Sequence, residues 1–157
     1  MRITIIRIGI LAGALVLAAV GGQALQAQRG AGAVVEVFKS PTCGCCSLWV
    51  KHLEQNGFTA KVTEMDDLSS LKKKHGVPAK ASSCHTALVN GYVLEGHVPA
   101  ADVKRLLMKR PAVAGLAVPG MPVGSPGMEV GSTVQPYNVL SFDKAGETKV
   151  FASYGRR

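Results

Sequence analysis

Three cysteines stand within four residues of this chain, in the motif Cys43-Gly44-Cys45-Cys46. An apolar run at residues 34–38 precedes the motif and predicts a β-strand that ends near residue 39. After the motif, apolar side chains recur at helical spacing and predict a helix over residues 43–56; they are Cys46, Trp49, Val50 and Leu53. The motif therefore lies where a strand leads into a helix N-terminus, whose partial positive charge stabilises thiolates.

Cys84 is the only cysteine outside the motif. Four cysteines allow three pairings. A bridge between the adjacent Cys45 and Cys46 would close a strained ring, and a bridge between Cys43 and Cys45 would constrain very little chain. A framework of structural disulfides is therefore the weaker interpretation. Dithiol exchange uses one attacking and one resolving sulfur, so a third neighbouring thiol fits a soft metal ion better than an ordinary dithiol oxidoreductase.

The type of donor narrows the choice of metal. Thiolates favour Cu(I), zinc or iron–sulfur units. The spacing is not a usual one for zinc, and iron–sulfur sites generally draw on more widely spaced cysteines. One Cu(I) on four thiolates would carry a formal charge of +1 − 4 = −3, which a partly buried site tolerates poorly, whereas four Cu(I) ions would cancel the charge. We therefore hypothesise a multinuclear Cu(I)–thiolate site.

Further donors lie beyond the motif. Cys84, at the start of a predicted strand, is either a small buried hydrophobe or a fourth thiolate that the fold returns to the motif. His85 would point to the opposite face of that strand, so we interpret it as a core histidine or as a support for a ligand. His97, in a tight loop, is a candidate additional ligand. Met121 and Met128 lie in a pliable loop, where they either fill gaps or bring thioethers over the cysteines.

The remaining patterns complete a β-α-β-α-β-β-α order that continues into a long loop and a hairpin. We predict strands at residues 60–65, 84–89 and 92–96, helices at residues 66–74 and 99–110, an irregular Gly/Pro-rich loop at residues 112–132, and hairpin strands at residues 137–142 and 148–154. A strand that feeds a cysteine motif at a helix N-terminus is typical of thioredoxin-like domains. The predicted fold class is therefore α/β, an elaborated thioredoxin-like fold over residues 34–154 with a Gly/Pro/Met-rich loop and a C-terminal β-hairpin.

The first 24 residues have the pattern of a signal peptide. Arg2 and Arg7 form a positive start, and residues 8–22 are an uncharged, mostly apolar run. This run is shorter than the roughly 20 residues of a membrane span. Small residues favour cleavage near residue 24, or as late as residue 27. The alternative is an uncleaved anchor that would hold the chain at the membrane; in both cases we expect the folded part in the periplasm.

The charge balance is basic. Lysines and arginines exceed acidic residues by 18 − 10 = 8 in the full chain, and by 16 − 10 = 6 once Arg2 and Arg7 are removed. The run Lys72-Lys73-Lys74 has no interleaved aromatic residues, so we interpret it as a solvated helix face and expect no nucleic-acid partner. His52 and His75 are interpreted as surface or helix-end residues.

Several motifs, in order, resemble one known family. They are Cys43-Gly44-Cys45-Cys46, HGVP at residues 75–78, SCHTA at 83–87, GYVLEGHVP at 91–99, PGMP at 119–122 and GSPGM at 124–128. The pattern resembles the CopG-type family of small periplasmic proteins linked to copper resistance, long described as a domain of unknown function. The resemblance covers about residues 34–154. It implies a thioredoxin-like fold, Cu(I) bound by Cys43, Cys45, Cys46 and Cys84, and a role in copper redox handling.

Three functions stay open at this point. The first is a copper-resistance protein that binds several Cu(I) ions, with copper ions and other periplasmic copper-handling proteins as partners. The second is an oxidoreductase that interconverts Cu(I) and Cu(II), and the third is a thiol–disulfide oxidoreductase acting on protein disulfides. The third cysteine of the motif disfavours the last, and Pro78 is six residues away from Cys84, too far for the cis-proline that such enzymes place beside the dithiol.

Overall fold

The computed structural model describes residues 32–155, so the predicted signal peptide at residues 1–24 lies outside the described residues. Within that range the strands are β1 (Val34–Lys39), β2 (Thr59–Glu64), β3 (Thr86–Val89), β4 (Tyr92–Glu95), β5 (Gly115–Ala117), β6 (Tyr137–Phe142) and β7 (Thr148–Tyr154). The α-helices are α1 (Gly44–Gln55), α2 (Ser69–Lys74) and α3 (Ala100–Lys109). None of these three helices is long and apolar enough to cross a membrane.

The seven strands form one mixed sheet in the order β2-β1-β3-β4-β5-β6-β7. β1 runs parallel to β2 and antiparallel to β3, and β3 and β4 form the predicted hairpin. The α/β class predicted from the sequence is confirmed. The thioredoxin-like assignment of the first four strands stays a prediction.

Helix α1 packs its predicted apolar face against the sheet. Cys46, Trp49 and Leu53 are fully buried and Val50 is nearly so, as the helical spacing of these residues requires. Trp49 Nε1 donates a hydrogen bond to the carbonyl oxygen of Val98 at 2.9 Å, so the buried indole has its polar partner. The helix, and the cysteine motif at its N-terminus, are therefore held firmly against the core.

His52 joins the last turn of α1 to the start of α3. Its Nε2 accepts a hydrogen bond from the backbone N–H of Ala100 at 3.0 Å, which an imidazole can do only while that nitrogen is unprotonated. Burial lowers the pKa of His52, and the carboxylate of Glu129 opposes part of that shift. His52 is half-buried and lies in the last turn of α1, as the helix-end interpretation predicts. Its hydrogen-bond partner could not be predicted from local sequence, because Ala100 lies 48 residues further along the chain.

The segment predicted as an irregular loop at residues 112–132 contains a strand. β5 is fully buried and pairs parallel with β4 and antiparallel with β6. The prediction is wrong at these residues because a three-residue strand is defined by its neighbours and has no periodic pattern of its own. Gly115 permits the close approach, since a Cβ at this position would overlap the backbone of Val93 and the ring of Phe142.

The predicted C-terminal hairpin is confirmed, with β6 and β7 at the expected bounds. Two hydrogen bonds attach this hairpin to α3. The hydroxyl of Tyr154 donates to Asp102 Oδ2 at 2.7 Å, and Arg105 Nη2 donates to the carbonyl oxygen of Phe151 at 2.9 Å. The chain between β5 and β6 is therefore fixed to the sheet at both of its ends, which positions it beside the cysteine motif.

Candidate metal centre

The three cysteines of the motif lie at the N-terminus of α1. Cys43 immediately precedes the helix with an extended backbone (φ −80°, ψ 92°), and Cys45 and Cys46 lie in the first turn. Cys43 and Cys46 form a disulfide with Cα atoms 5.4 Å apart. Cys45 is a free thiol whose Sγ lies 3.5 Å from Cys43 Sγ. Cys46 is fully buried, whereas Cys43 and Cys45 are half-buried, so the group of sulfurs lies between the core and the surface.

Cys84 brings a fourth sulfur from a distant part of the chain. It lies in an irregular segment between a 3-10 turn at Ala79–Ala81 and β3, not in the predicted strand, because β3 begins at Thr86. Its free thiol is half-buried. The sulfurs of all four cysteines lie within 4.8 Å of one another. The structure therefore brings together the four residues that the sequence indicates as ligands.

A buried carboxylate holds the backbone next to Cys84. Glu95 is fully buried, and its Oε1 accepts hydrogen bonds from the backbone N–H of Ser83 at 2.7 Å and from the ammonium of Lys72. Its Oε2 accepts the hydroxyl of Thr86 at 2.7 Å. Burial raises the pKa of Glu95, and the hydrogen bonds from Lys72 and Thr86 oppose that rise. Because both carboxylate oxygens have partners and a countercharge, the group is stable in the interior and fixes the residue before Cys84.

Lys72 is consequently not part of a solvated helix face. Its side chain is only 16% exposed and forms an ion pair with Glu95. The interpretation of the run Lys72-Lys73-Lys74 is therefore wrong for its first member, while Lys73 and Lys74 are exposed. Sequence reasoning also missed Glu95. The available signal was a lone carboxylate at the end of an apolar strand pattern. Such a position predicts a buried carboxylate, and a buried carboxylate needs a cation beside it.

His97 faces the sulfur of Cys84 with a defined nitrogen. Its Nε2 lies 3.1 Å from Cys84 Sγ, and its Nδ1–H donates to the carbonyl oxygen of Pro126 at 2.8 Å. Since a carbonyl can only accept, Nδ1 carries the proton and the Nε2 lone pair points at the sulfur. Metal-binding histidines commonly have such a second hydrogen bond, which fixes the tautomer and the orientation of the ring. The structure thus places this candidate ligand, which is fully buried, beside the cysteines.

His85 also faces Cys84, and the prediction that it points to the opposite strand face is wrong. Its Nδ1 lies 3.3 Å from Cys84 Sγ. Both residues precede β3, so the alternation of side chains along a strand does not apply to them. The ring is fully buried, with its centroid 4.4 Å from that of Trp49 and 5.0 Å from that of His97. Its Nε2 has no hydrogen-bond partner among the described residues, so His85 belongs both to the core and to the site.

Burial keeps the Cys84 side of the site uncharged. It raises the pKa of Cys84 to about 11, an effect to which the nearby Cys45 sulfur adds. Burial also lowers the pKa of His97. It lowers the pKa of His85 well below its ordinary value, and the charge of the neighbouring His97 adds to this effect. Without a metal, a protonated thiol therefore lies between two neutral imidazoles. A bound cation would favour the thiolate instead, so that metal binding is expected to release protons.

The Gly/Pro/Met-rich loop packs on both cysteine-bearing segments through its backbone. The hydroxyl of Ser83 donates to the carbonyl oxygen of Gly120. At Gly127 the loop passes so close to α1 that an added Cβ would lie 2.7 Å from the carbonyl oxygen of Cys45. The loop therefore bridges the two parts of the site, and through Pro126 it also orients His97.

The two methionines of this loop differ in exposure. Met121 is 52% exposed, whereas Met128 is half-buried. Backbone hydrogen bonds between Met128 and Ser125, at 2.8 Å, and between Met128 and Gly124, at 2.9 Å, tie this end of the loop to itself. That both thioethers close over the cysteines stays a prediction.

Comparisons with known proteins give two similar solved structures. One is named "Copper resistance protein copG- Form 2"; it is 45% identical to this chain, with a TM-score of 0.75, and the match covers 78% of this chain and 98% of that one. The other, named "Copper resistance protein copG- Form 1", is also 45% identical, with a TM-score of 0.74 and coverages of 77% and 96%. A family model described as "Protein of unknown function, DUF411" matches residues 81–128, the part that holds Cys84 and the loop. No curated protein sequence matches this chain.

Proposed function

The chain belongs to the family of the copper resistance protein CopG, and from this premise we propose that it binds copper through Cys43, Cys45, Cys46 and Cys84. The observation that carries the proposal is the convergence of four sulfurs within 4.8 Å, from two segments that are far apart in sequence. Thiolates are soft ligands that favour Cu(I). The names of the two similar structures support copper as the metal.

In this proposal several Cu(I) ions share the four sulfurs. Cys46 is fully buried, so the charge of −3 on a single copper with four thiolates would be poorly solvated. Copper ions bridged by the same sulfurs lower that charge, and four of them cancel it. His97, whose Nε2 lone pair points at Cys84, is the candidate additional ligand, and His85 orients Cys84 from its other side. Met121 and Met128 are candidate thioether ligands from the loop.

Full loading requires reduction of the disulfide between Cys43 and Cys46, because thiolates and not disulfide sulfurs bind the metal. In their reduced form, the same two cysteines can reduce copper. Two thiols lose two protons and two electrons as the S–S bond forms, and two Cu(II) ions take up the electrons and become two Cu(I) ions. Interconversion of Cu(II) and Cu(I) is therefore part of the proposed function.

The proposed location is the periplasm. The N-terminal pattern described above and the relation to copper resistance proteins support it. The proposed partners are copper ions and other periplasmic copper-handling proteins. A cleaved signal peptide would leave the protein free in that compartment, and an uncleaved one would attach it to the membrane.

An anaerobic titration tests copper binding. The reduced protein is titrated with Cu(I) in competition with a chromophoric Cu(I) chelator. We expect more than one Cu(I) per wild-type chain and a lower stoichiometry for Cys84→Ser. Saturation of the wild type at a single copper would contradict the multinuclear site, and an unchanged stoichiometry in Cys84→Ser would remove Cys84 from it.

The same titration tests the thioethers. Met121→Leu and Met128→Leu are compared with Met108→Leu, a control at a methionine on α3 that is 58% exposed. Weaker Cu(I) binding in either loop variant but not in the control would support ligation by that methionine. Equal binding in all three variants would remove the thioethers from the site.

Thiol–disulfide exchange on other proteins is a second candidate function. The observation that favours it is the disulfide between Cys43 and Cys46 at a helix N-terminus, which is a reactive position. The Cys45 sulfur, 3.5 Å from Cys43, disfavours it because it invites scrambled pairings. Rapid reduction of insulin disulfides by the protein, unaffected in Cys45→Ala and Cys84→Ala, would favour exchange over the copper function.

A further inference from the structure

Among the described residues, the disulfide between Cys43 and Cys46 leaves two cysteines that form no disulfide. Cys45 and Cys84 are both free and half-buried. Their sulfurs lie no more than 4.8 Å apart. We propose that Cys45 and Cys84 form a second disulfide when the copper-free site is oxidised, so that each chain holds two thiol–disulfide pairs. This inference rests on the proposed function only for its oxidant, Cu(II).

The pairing follows by elimination among the four cysteines. Four cysteines can pair completely in three ways. One way joins the adjacent Cys45 and Cys46 and another joins Cys43 and Cys45, and each of these closes a very small ring. The third way keeps the bond between Cys43 and Cys46 that is already present. The only partner left for Cys45 is then Cys84.

The surroundings of Cys84 direct its sulfur toward the motif. His85 and His97 contact Cys84 Sγ at 3.3 and 3.1 Å, and the backbone of Ser83 is fixed by Glu95. A disulfide needs a sulfur–sulfur distance of about 2.05 Å. Starting from sulfurs within 4.8 Å, closure requires a movement of less than about 3 Å, which side-chain rotation and a small shift of the irregular Cys84 segment can supply.

The redox step balances with copper as the oxidant. The S–H bonds of Cys45 and Cys84 break, one S–S bond forms, and two protons pass to the solvent. The two electrons reduce two Cu(II) ions to two Cu(I) ions. With the pair formed by Cys43 and Cys46 reacting in the same way, one fully reduced chain converts four Cu(II) ions to four Cu(I) ions.

The second pair changes what happens to the copper. With only the first disulfide formed, Cys45 and Cys84 still offer two thiolates to a Cu(I) ion. With both disulfides formed, the four cysteines offer no thiolate, and Cu(I) loses its thiolate ligands. Closure of the second pair would therefore release copper from the site, and reduction would prepare it for another cycle.

Peptide mapping of the wild-type chain tests the pairing. The reduced, copper-free protein is treated anaerobically with excess Cu(II), the metal is removed with a chelator, and free thiols are alkylated. Trypsin cleavage after lysine then separates the motif, in peptide 40–51, from Cys84, in peptide 81–104. We expect these two peptides to be joined without any alkylated cysteine. Alkylated Cys84, or a disulfide between two copies of peptide 81–104, would overturn the proposal.

Two double variants and a count of Cu(I) sharpen the test. Cys43→Ser with Cys46→Ser leaves only the second pair, and Cys45→Ser with Cys84→Ser leaves only the first. We expect a cuprous chelator to detect four Cu(I) ions per wild-type chain and two per chain of each double variant. The two peptides are expected to be joined only in the first variant. A wild-type count of two, equal to that of the variant without Cys45 and Cys84, would overturn the proposal.

A metal-free oxidant separates this inference from the proposed function. Diamide takes two hydrogens from a thiol pair and becomes a hydrazine, so it can close the second pair without copper. Joined peptides after diamide, in a protein that fails to bind Cu(I), would support the thiol pair and reject the copper function. Normal Cu(I) binding, with separate peptides after both oxidants, would reject the thiol pair alone.

Discussion

The two segments that supply the sulfurs are held in place in different ways. The motif at residues 43–46 forms the N-terminal end of α1, whose inner face packs on the core, so its three sulfurs are arranged by local structure. Cys84 lies in a segment without regular structure, and its position depends on Glu95 and on the loop that orients His97. The position of the fourth sulfur is therefore easier to disturb than the positions of the first three.

Glu95→Ala should have the largest effect on the stability of the segment that holds Cys84. It removes a buried partner of Lys72 and of the Ser83 backbone, and breaking a buried ion pair typically costs about 3–5 kcal/mol of stability. Urea unfolding of the reduced, copper-free protein measures the loss. Glu64→Ala is the control, because the Glu64 carboxylate is 55% exposed to solvent and its partner Lys39, only 5% exposed, keeps the carbonyl oxygen of Ser40 as an acceptor. The loss should therefore be smaller than for Glu95→Ala.

Equal losses in Glu95→Ala and Glu64→Ala would show that the buried pair does not hold the Cys84 segment. Replacing both partners, in Lys72→Met with Glu95→Leu, should recover part of the stability, since no unpaired charge is then left inside. Cu(I) binding by this double variant, compared with wild type, would report how far the position of Cys84 depends on the pair and not on stability alone.

Gly127→Ala tests how the loop is attached to the motif side. Gly127 has φ +85°, and an added Cβ would lie 2.7 Å from the Cys45 carbonyl oxygen and from the Trp49 nitrogen. Gly120→Ala is the control, because Gly120 has φ +67° with no atom within 4 Å of the added Cβ. Both variants should lose about 1 kcal/mol through backbone strain, and Gly127→Ala should lose a further 1–3 kcal/mol, roughly, through overpacking.

Urea unfolding and limited proteolysis of the loop check this prediction. If Gly127→Ala undocks the loop, cleavage within residues 119–128 should be faster than in Gly120→Ala. Indistinguishable stability and cleavage rates in the two variants would contradict close packing of the loop on α1.

The smallest expected effect concerns pH and the anchoring of α1 to α3. In the folded chain burial lowers the pKa of His52 from its ordinary value of 6.5. Below about pH 6.5 the unfolded chain therefore binds a proton that the folded chain excludes, and stability falls as the pH falls. At higher pH this contribution is fully present. Each proton so excluded changes stability by at most about 1.4 kcal/mol per pH unit.

Urea unfolding of His52→Gln and of wild type between about pH 7.5 and 5 measures how much His52 contributes to the change of unfolding free energy with pH. The variant should lose stability less steeply with acid than wild type does. His75→Gln serves as the control, since it leaves the contact between His52 and Ala100 intact. Equal slopes for His52→Gln and wild type would contradict the assignment of neutral His52 as the acceptor of the Ala100 N–H.

Much of the architecture could be predicted from periodic patterns. The inward face of α1, the hairpin of β3 and β4, and the strands β6 and β7 each have several residues that repeat with the period of their own structure. β5 could not be predicted, because its three residues are held by the strands on both sides. The orientation of His85 was misjudged because β3 begins later than the apolar pattern indicates.

The local sequence alone predicts three sulfurs together at a helix N-terminus, because the spacing of neighbouring residues along a helix sets their relative positions. It also indicates Cys84 as the fourth sulfur, but the distance of at most 4.8 Å between the Cys84 sulfur and those of the motif depends on the packing of distant segments. The same holds for the Nε2 of His97, which is directed by Pro126, and for the burial of Lys72 against Glu95. These contacts join residues far apart in the chain, and packing of the whole sheet and loop, not any local pattern, brings them together.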